Sequence, residues 1–303
     1  MLEKFNYNIP YNKAYGCILI NAKAWEDNTS QLIQSYNMKG ERCISYINKV
    51  LKVNLNKEVY GEPVKEGDLV FISRQASRVS YLQPYKLPNS FDEYANVHIL
   101  QVIGKFENND ISFRYFSPLF DKVFMKEVKT PTSSLFLTDN KTNVAEVIKV
   151  GSHGFTSDWK PKPNNCLVGN YVLYRDNVVT EITLEGKDYI ATTDAMIVGY
   201  FRDKNDLSVD NLVLYGNNIL LEVYEEENIE GSILIKPNKD EKDDLTELYS
   251  DPRFKVVNVA RDVKDIKKGD KVIVDMIHTN YVTIDGKRYY LLDGSKNIVG
   301  TYE

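Results

Sequence analysis

The sequence predicts an all-β protein made of three tandem small β-barrels with few short helices. Short runs in which Val, Ile, Tyr and Phe alternate with polar residues read as half-buried strands, because side chains along a strand point alternately to its two faces. Gly-rich turn signals separate those runs, and the whole pattern returns along the chain. A length of 303 residues allows two or three domains. A composition of 43% hydrophobic and 27% charged residues is enough to build packed cores, so the chain is not read as disordered.

The repeat is visible by inspection. LVGNYVLY at 167–174 matches KKGDKVIV at 267–274, and EITLEGKDYI at 181–190 matches YVTIDGKRYY at 281–290. Gly169, Gly186, Lys187 and Tyr189 thus correspond to Gly269, Gly286, Lys287 and Tyr289. Each copy closes on a similar strand, MIVGYF at 196–201 and NIVGTY at 297–302. Upstream, PLFDKVFMKEV at 118–128 is set against NNILLEVYEEE at 217–227, and AEVIKVG at 145–151 against FKVVNVA at 254–260. A more divergent copy fills the first third: AYGCILINAKAW at 14–25 opens it, VKEGDLVFI at 64–72 carries the Gly-Asp turn, and NVHILQVIGKF at 96–106 closes it, with an insertion around Arg74–Asp92. The predicted domains are 1–110, 111–204 and 205–303. Within them, EGK at 185–187 and DGK at 285–287 predict tight hairpins. Short helices are expected within 24–51 and 240–251.

Charge and motifs narrow the function. A net charge of −5, with no Lys/Arg-rich run, argues against general binding of a phosphate backbone. The first residues lack the apolar core of a secretory signal, and no run approaches the ~20 apolar residues that span a bilayer. Cys17, Cys43 and Cys166 are scattered and odd in number, which reads as reduced thiols of a cytosol-like compartment and not as a zinc site. His98 and His278 lie on apolar strands and read as core or edge residues; His153 reads as a loop residue. The acidic run at 225–228 lacks the alternate spacing of a calcium loop. No nucleophile elbow, zinc-protease, P-loop or dinucleotide motif occurs, so no catalytic residue, cofactor or metal is expected. The bias to Asn, Lys, Asp and Tyr fits AT-rich bacterial and phage genomes, hence a bacterial cytoplasm and, for a structural protein, the phage particle.

The third repeat combines an opening strand, ILLEVYEEENIEGSILIKP, with FKVVNVARDVKDIKKGDKVIV and YVTIDGKRYYLLDGSKNIVGTY, and the second follows the same order. This ordered set resembles the GroES-type co-chaperonins. The resemblance implies a small β-barrel whose mobile loop carries an apolar tip that docks on a chaperonin groove. Position by position, the tip falls on Gly231, Ser232, Ile233, Leu234 and Ile235 in the third repeat, and on Ser133, Ser134, Leu135, Phe136 and Leu137 in the second. The same residues also read as strands packed in the barrel or against a neighbouring subunit. Phe155 and Trp159, in HGFTSDWKPKPNN at 153–165, read either as anchors for another subunit or as a small local core.

The first functional expectation is a non-enzymatic, ring-forming structural protein, such as a neck or tail ring of a phage particle, whose partners are further copies of itself and neighbouring particle proteins. Divergent loops on similar repeats suit a chain that meets different neighbours. The alternative is a phage-encoded or bacterial co-chaperonin that caps a chaperonin through its apolar loops.

Overall fold

A two-residue hairpin turn of type I′ needs positive φ at both residues, which Gly accepts without a Cβ clash. Glu185 and Gly186 (φ 53° and 71°) and Asp285 and Gly286 (48° and 74°) have this geometry at the two predicted turns. The computed structural model describes residues 16–21, 47–73, 76, 85–86, 93–128, 142–175, 179–223, 253–275 and 280–302.

The first repeat runs β1 (Cys17–Asn21), β2 (Ile47–Asn54), helix α1 (Lys57–Tyr60), β3 (Leu69–Ile72), β4 (Tyr85–Lys86), β5 (Glu93–His98) and β6 (Val102–Phe106). The second runs β7 (Phe116–Pro118), β8 (Lys122–Glu127), β9 (Val144–Val150), a two-stranded ribbon of β10 (Gly154–Phe155) and β11 (Pro161–Lys162), β12 (Tyr171–Tyr174), β13 (Thr180–Leu184), β14 (Lys187–Thr193) and β15 (Ile197–Phe201). The third runs β16 (Leu212–Leu214), β17 (Asn218–Val223), β18 (Arg253–Val259), β19 (Lys271–Val274), β20 (Asn280–Ile284), β21 (Lys287–Asp293) and β22 (Ile298–Tyr302). The described residues are thus mostly strand, as the all-β reading requires.

The chain forms two compact units. One comprises 1–126, 147–169 and 178–195; the other comprises 127–146, 170–177 and 196–303. The second repeat contributes to both. In the first unit the strands of the first repeat, with β7 at the end, form one sheet in the order β4-β5-β1-β2-β3-β6-β7, and β13-β14-β8 lie in that order in a separate sheet. In the second unit the order is β9-β12-β15-β16 for the remainder of the second repeat and β20-β21-β17-β18-β19-β22 for the third. The three copies therefore share one strand order. They also share irregularities: the strand that turns into the closing pair bulges at Phe71/Ile72, Leu173/Tyr174 and Ile273/Val274. A bulge re-aims the strand and tightens its twist.

Cross-strand pairing corrects one expectation and narrows another. Phe124 pairs with Ala191 and Leu220 with Leu291, so the opening strands correspond as Phe124 to Leu220, three residues away from the sequence alignment. Apolar residues are nearly continuous here, and sliding one run along the other costs little similarity. Residues 47–51, the end of the stretch 24–51 in which a short helix is expected, belong instead to strand β2, which carries β-branched residues and pairs with both β1 and β3. The other predicted helical stretches lie outside the described residues.

The cores explain why the alternation is blurred. In the third repeat, Ile219, Leu221, Phe254, Val256, Val272, Val274, Tyr290 and Leu292 form its own core. The intervening Leu220, Val282, Ile284 and Leu291 pack instead with Leu173, Val198 and Phe201 of the second repeat and with Leu212 of β16. In the first unit, Phe124, Leu184, Tyr189 and Ala191 of the second repeat pack in the same way on Phe71, Ile103, Phe106 and Phe116. Strands buried on both faces read as apolar runs instead of alternating ones.

Candidate interaction surfaces

The apolar tips at 134–137 and 231–235 lie outside the described residues; their roots are described. Both segments leave an opening strand and return on the next: β8 to β9 and β17 to β18, as 22–46 joins β1 to β2. At the second repeat's root Val128 N donates to Val144 O (3.0 Å), and Tyr174 Oη donates to Glu127 Oε1 (2.7 Å). Asn143 ties the same root to the third repeat's hairpin: its N donates to Thr283 O (2.9 Å) and its Oδ1 accepts from Thr283 N (2.7 Å). At the third repeat's root Val223 pairs with Phe254 and is 43% exposed.

Phe155 and Trp159 lie in the first unit. Phe155 ends β10, and the loop back to β11 is closed by Thr156 N to Lys160 O (2.9 Å) and Trp159 N to Thr156 O (3.0 Å). Phe155 packs into the first repeat's core, with ring centroids 5.9 Å from Tyr60 and 5.4 Å from Phe120. Trp159, 39% exposed, rests one edge on Tyr60 (6.0 Å) and offers the remainder to solvent. Beside them a cleft of about 410 Å³ is lined by Leu100, Asp121, Lys122, Phe155, Trp159 and Thr193, among others. The Lys122 ammonium, buried in its wall, is neutralised by Asp121 at 2.5 Å, as a buried charge requires.

The base of this ribbon is pinned by buried Asp194, whose carboxylate accepts from Asn165 N, Asn165 Nδ2 and Cys166 N at 2.8–3.1 Å. Burial pushes the Cys17 thiol up to about 11. Burial, and then the Asp194 carboxylate, push that of Cys166 higher still. Neither is a nucleophile near neutrality. Cys43 and His278 lie outside the described residues. His153 accepts or donates at Ser152 Oγ (2.7 Å) and stacks edgewise on Phe120. His98, half-buried at the end of β5, accepts from Leu100 N at Nδ1 (3.2 Å). Burial, and then the Lys122 charge, hold its pKa below the usual histidine value. Among the described residues no three His, Cys, Asp or Glu gather to hold a metal, and no helix is long and apolar enough to cross a membrane.

The residues that sequence reading passed over are those of the repeat-to-repeat junctions. Each junction adds the first strand of one repeat to the closing strand of the repeat before: β7 on β6 and β16 on β15. The added strand is also held from its own repeat at one register position. Lys149 Nζ donates to Phe113 O and Phe116 O (2.7 Å each), and Asn258 Nδ2 donates to Val209 O and Leu212 O (3.0 and 2.7 Å). The closing strands carry Gly104 and Gly199 where the added strand passes. A Cβ on Gly104 would lie 2.5 Å from Phe116 Cζ, and one on Gly199 would lie 3.0 Å from Leu214 Cα and closer still to Val213 O. The available signal was the recurring Val/Ile-Gly within VIGKF, IVGYF and IVGTY.

These observations define a class before a family: small antiparallel β-modules in tandem. The chain belongs to the chaperonin 10 kDa subunit family, whose model matches residues 115–201, the second repeat. It is 31% identical to a mitochondrial 10 kDa heat shock protein of Oryzias latipes over 99 residues, 31% of this chain and all of the relative. It is 32% identical to that of Mus musculus over 98 residues (30% and 96%), and 30% identical to the co-chaperonin GroES of Geotalea daltonii over 88 residues (27% and 92%).

Proposed function

We propose that the chain is a non-enzymatic co-chaperonin that binds a chaperonin through the apolar segments between its opening and second strands, with the three repeats at 1–110, 111–204 and 205–303 as its working units. The observation that carries this reading is the family match, with relatives named as co-chaperonin or 10 kDa heat shock proteins aligned over nearly their whole length. It favours this role over the phage-particle ring. The docking residues are Leu135, Phe136 and Leu137 in the second repeat and Ile233, Leu234 and Ile235 in the third. Each buried Leu or Ile contributes on the order of 1.5–3 kcal/mol, and two tips on one chain add avidity. The test is nucleotide-dependent co-sedimentation with a bacterial chaperonin. Wild type binds only with ATP present, and Leu234→Asp weakens binding at least ~10-fold, equivalent to ~1.4 kcal/mol. Equal binding by wild type and by a Leu135→Asp/Leu234→Asp double variant overturns the assignment.

A further inference from the structure

The cleft beside the β10–β11 ribbon carries two features that belong to the second repeat alone, and the module does not need either of them to fold. The first is the ion pair in its wall. Lys122 pairs across the strands with Thr193; its counterparts by register are Cys17, opposite His98, and Asn218, opposite Asp293. Asp121 stands where the other copies have Gly16 and Asn217. The same fold is thus built twice with neutral residues here. In the second repeat it carries an ammonium on a side chain that is 5% exposed, beside a carboxylate that is 29% exposed. A buried ion pair adds little net stability over neutral residues that fill the same space, so stability does not account for it. Among the described residues the ammonium donates to Asp121 Oδ1. That leaves further donors on Lys122 and further acceptor sites on Asp121, and both residues line the cleft.

The second feature is the aromatic wall. The connections from β2 to β3 and from β18 to β19 are described throughout and hold no two-stranded ribbon. In the ribbon of the second repeat, Trp159 has a left-handed backbone (φ 62°), which bulky residues seldom adopt. The residue stays 39% exposed, so core packing does not offset the strain. Strained residues gather where a ligand or a reaction needs a side chain held in place. Its ring lies 5.9 Å from that of Phe155 at 52°, and Leu100 completes the apolar lining.

We infer that this cleft binds a free α-amino acid with an aromatic side chain. The ligand carboxylate accepts from Lys122 Nζ, the ligand ammonium donates to the Asp121 carboxylate, and the ring packs against Trp159, Phe155 and Leu100. Charge selects a zwitterion. Its two opposite charges sit close together, as those of the Asp121–Lys122 pair do, so signs alternate and no net charge is buried. A simple anion opposes Asp121, and a simple cation opposes Lys122. The remainder of the lining selects the side chain, because aromatic rings pack edge-to-face or offset on one another. A volume of about 410 Å³ suits a small ligand. The inference does not depend on chaperonin binding.

The experiment is equilibrium dialysis of the full chain against labelled L-phenylalanine, without chaperonin. Wild type binds it saturably with a Kd of about 1 mM or tighter. Two unlabelled competitors separate the charges: 3-phenylpropionate lacks the ammonium and phenethylamine lacks the carboxylate. Each competes at least ~10-fold more weakly than L-phenylalanine. Trp159→Ala, with an unchanged circular-dichroism spectrum, binds at least ~5-fold more weakly. A wild-type Kd weaker than this limit overturns the inference. So does an analogue that competes within the stated margin, or a folded Trp159→Ala variant that binds within its own. The competitor arm uses wild type alone, so it decides the matter even if Trp159→Ala misfolds.

Discussion

At the scale of single residues, burial decides chemistry. His98 is held neutral by its surroundings, so the unfolded chain takes up its proton more readily than the folded one. Stability from this site is therefore complete above the ordinary value of 6.5 and is lost as pH falls through 6.5 toward the lower folded value. Melting temperature measured from neutral pH downward should fall across that window. His98→Asn should flatten the fall, since an Asn side chain can still accept from the backbone N–H two residues on without titrating. A His98→Asn curve as steep as wild type would assign the acid loss elsewhere. The glycines make a paired prediction. Gly199→Ala forces β16 away from β15 and should cost about 1–3 kcal/mol in denaturant unfolding, the usual cost of overpacking. Gly300→Ala, at the matching position of β22, where a Cβ would meet nothing within 4 Å, should be silent or slightly stabilising. Equal effects at the two positions would contradict the account of the junction.

At the scale of elements, both faces of the opening strand matter. Leu220 lies between the second and third repeats, and Phe124 holds the matching position between the first and second. Leu220→Ala should cost about 2–5 kcal/mol and Phe124→Ala about 3–5 kcal/mol, as large-to-small core substitutions do. Solvent-exposed strand faces would lose far less, so equilibrium unfolding of each variant tests whether the junctions are real cores. The β10–β11 ribbon behaves differently. Its Phe155 packs, partly buried, against the first repeat's core, while Asp194 gathers three donors at its base. The ribbon is thus a fixed part of the first unit, and of its two aromatic candidates Trp159 retains a solvent-facing surface.

At the scale of the whole molecule, one module has been used three times with different loops. Spacing between repeated motifs was legible in the sequence because turns demand Gly and hairpins demand positive φ, and those needs are local. Gly186 and Gly286 show this, and so does the closing Val/Ile-Gly. The correspondence of opening strands was not legible. In VFM at 123–125 and ILL at 219–221 every residue is apolar, so pattern gives no register, and it took cross-strand pairing to show that Phe124 and Leu220 hold equivalent positions. For the same reason β2 passed for part of a helix. The docking tips were named from a resemblance, by position in an ordered motif set, and no periodicity within them marks their use.

By itself the sequence determined that this protein is all-β, repetitive and related in pattern to the GroES-type co-chaperonins, because strand alternation, turn glycines and motif order are written in neighbouring residues. The tertiary structure decided which apolar residues belong to a repeat's own core and which to its neighbour's. It also decided that Phe155 packs against the first repeat's core and that, among the described residues, β22 ends its sheet. Those outcomes depend on which surfaces meet after strands distant in sequence have paired, and burial on a second face leaves no periodic mark that local reading can find.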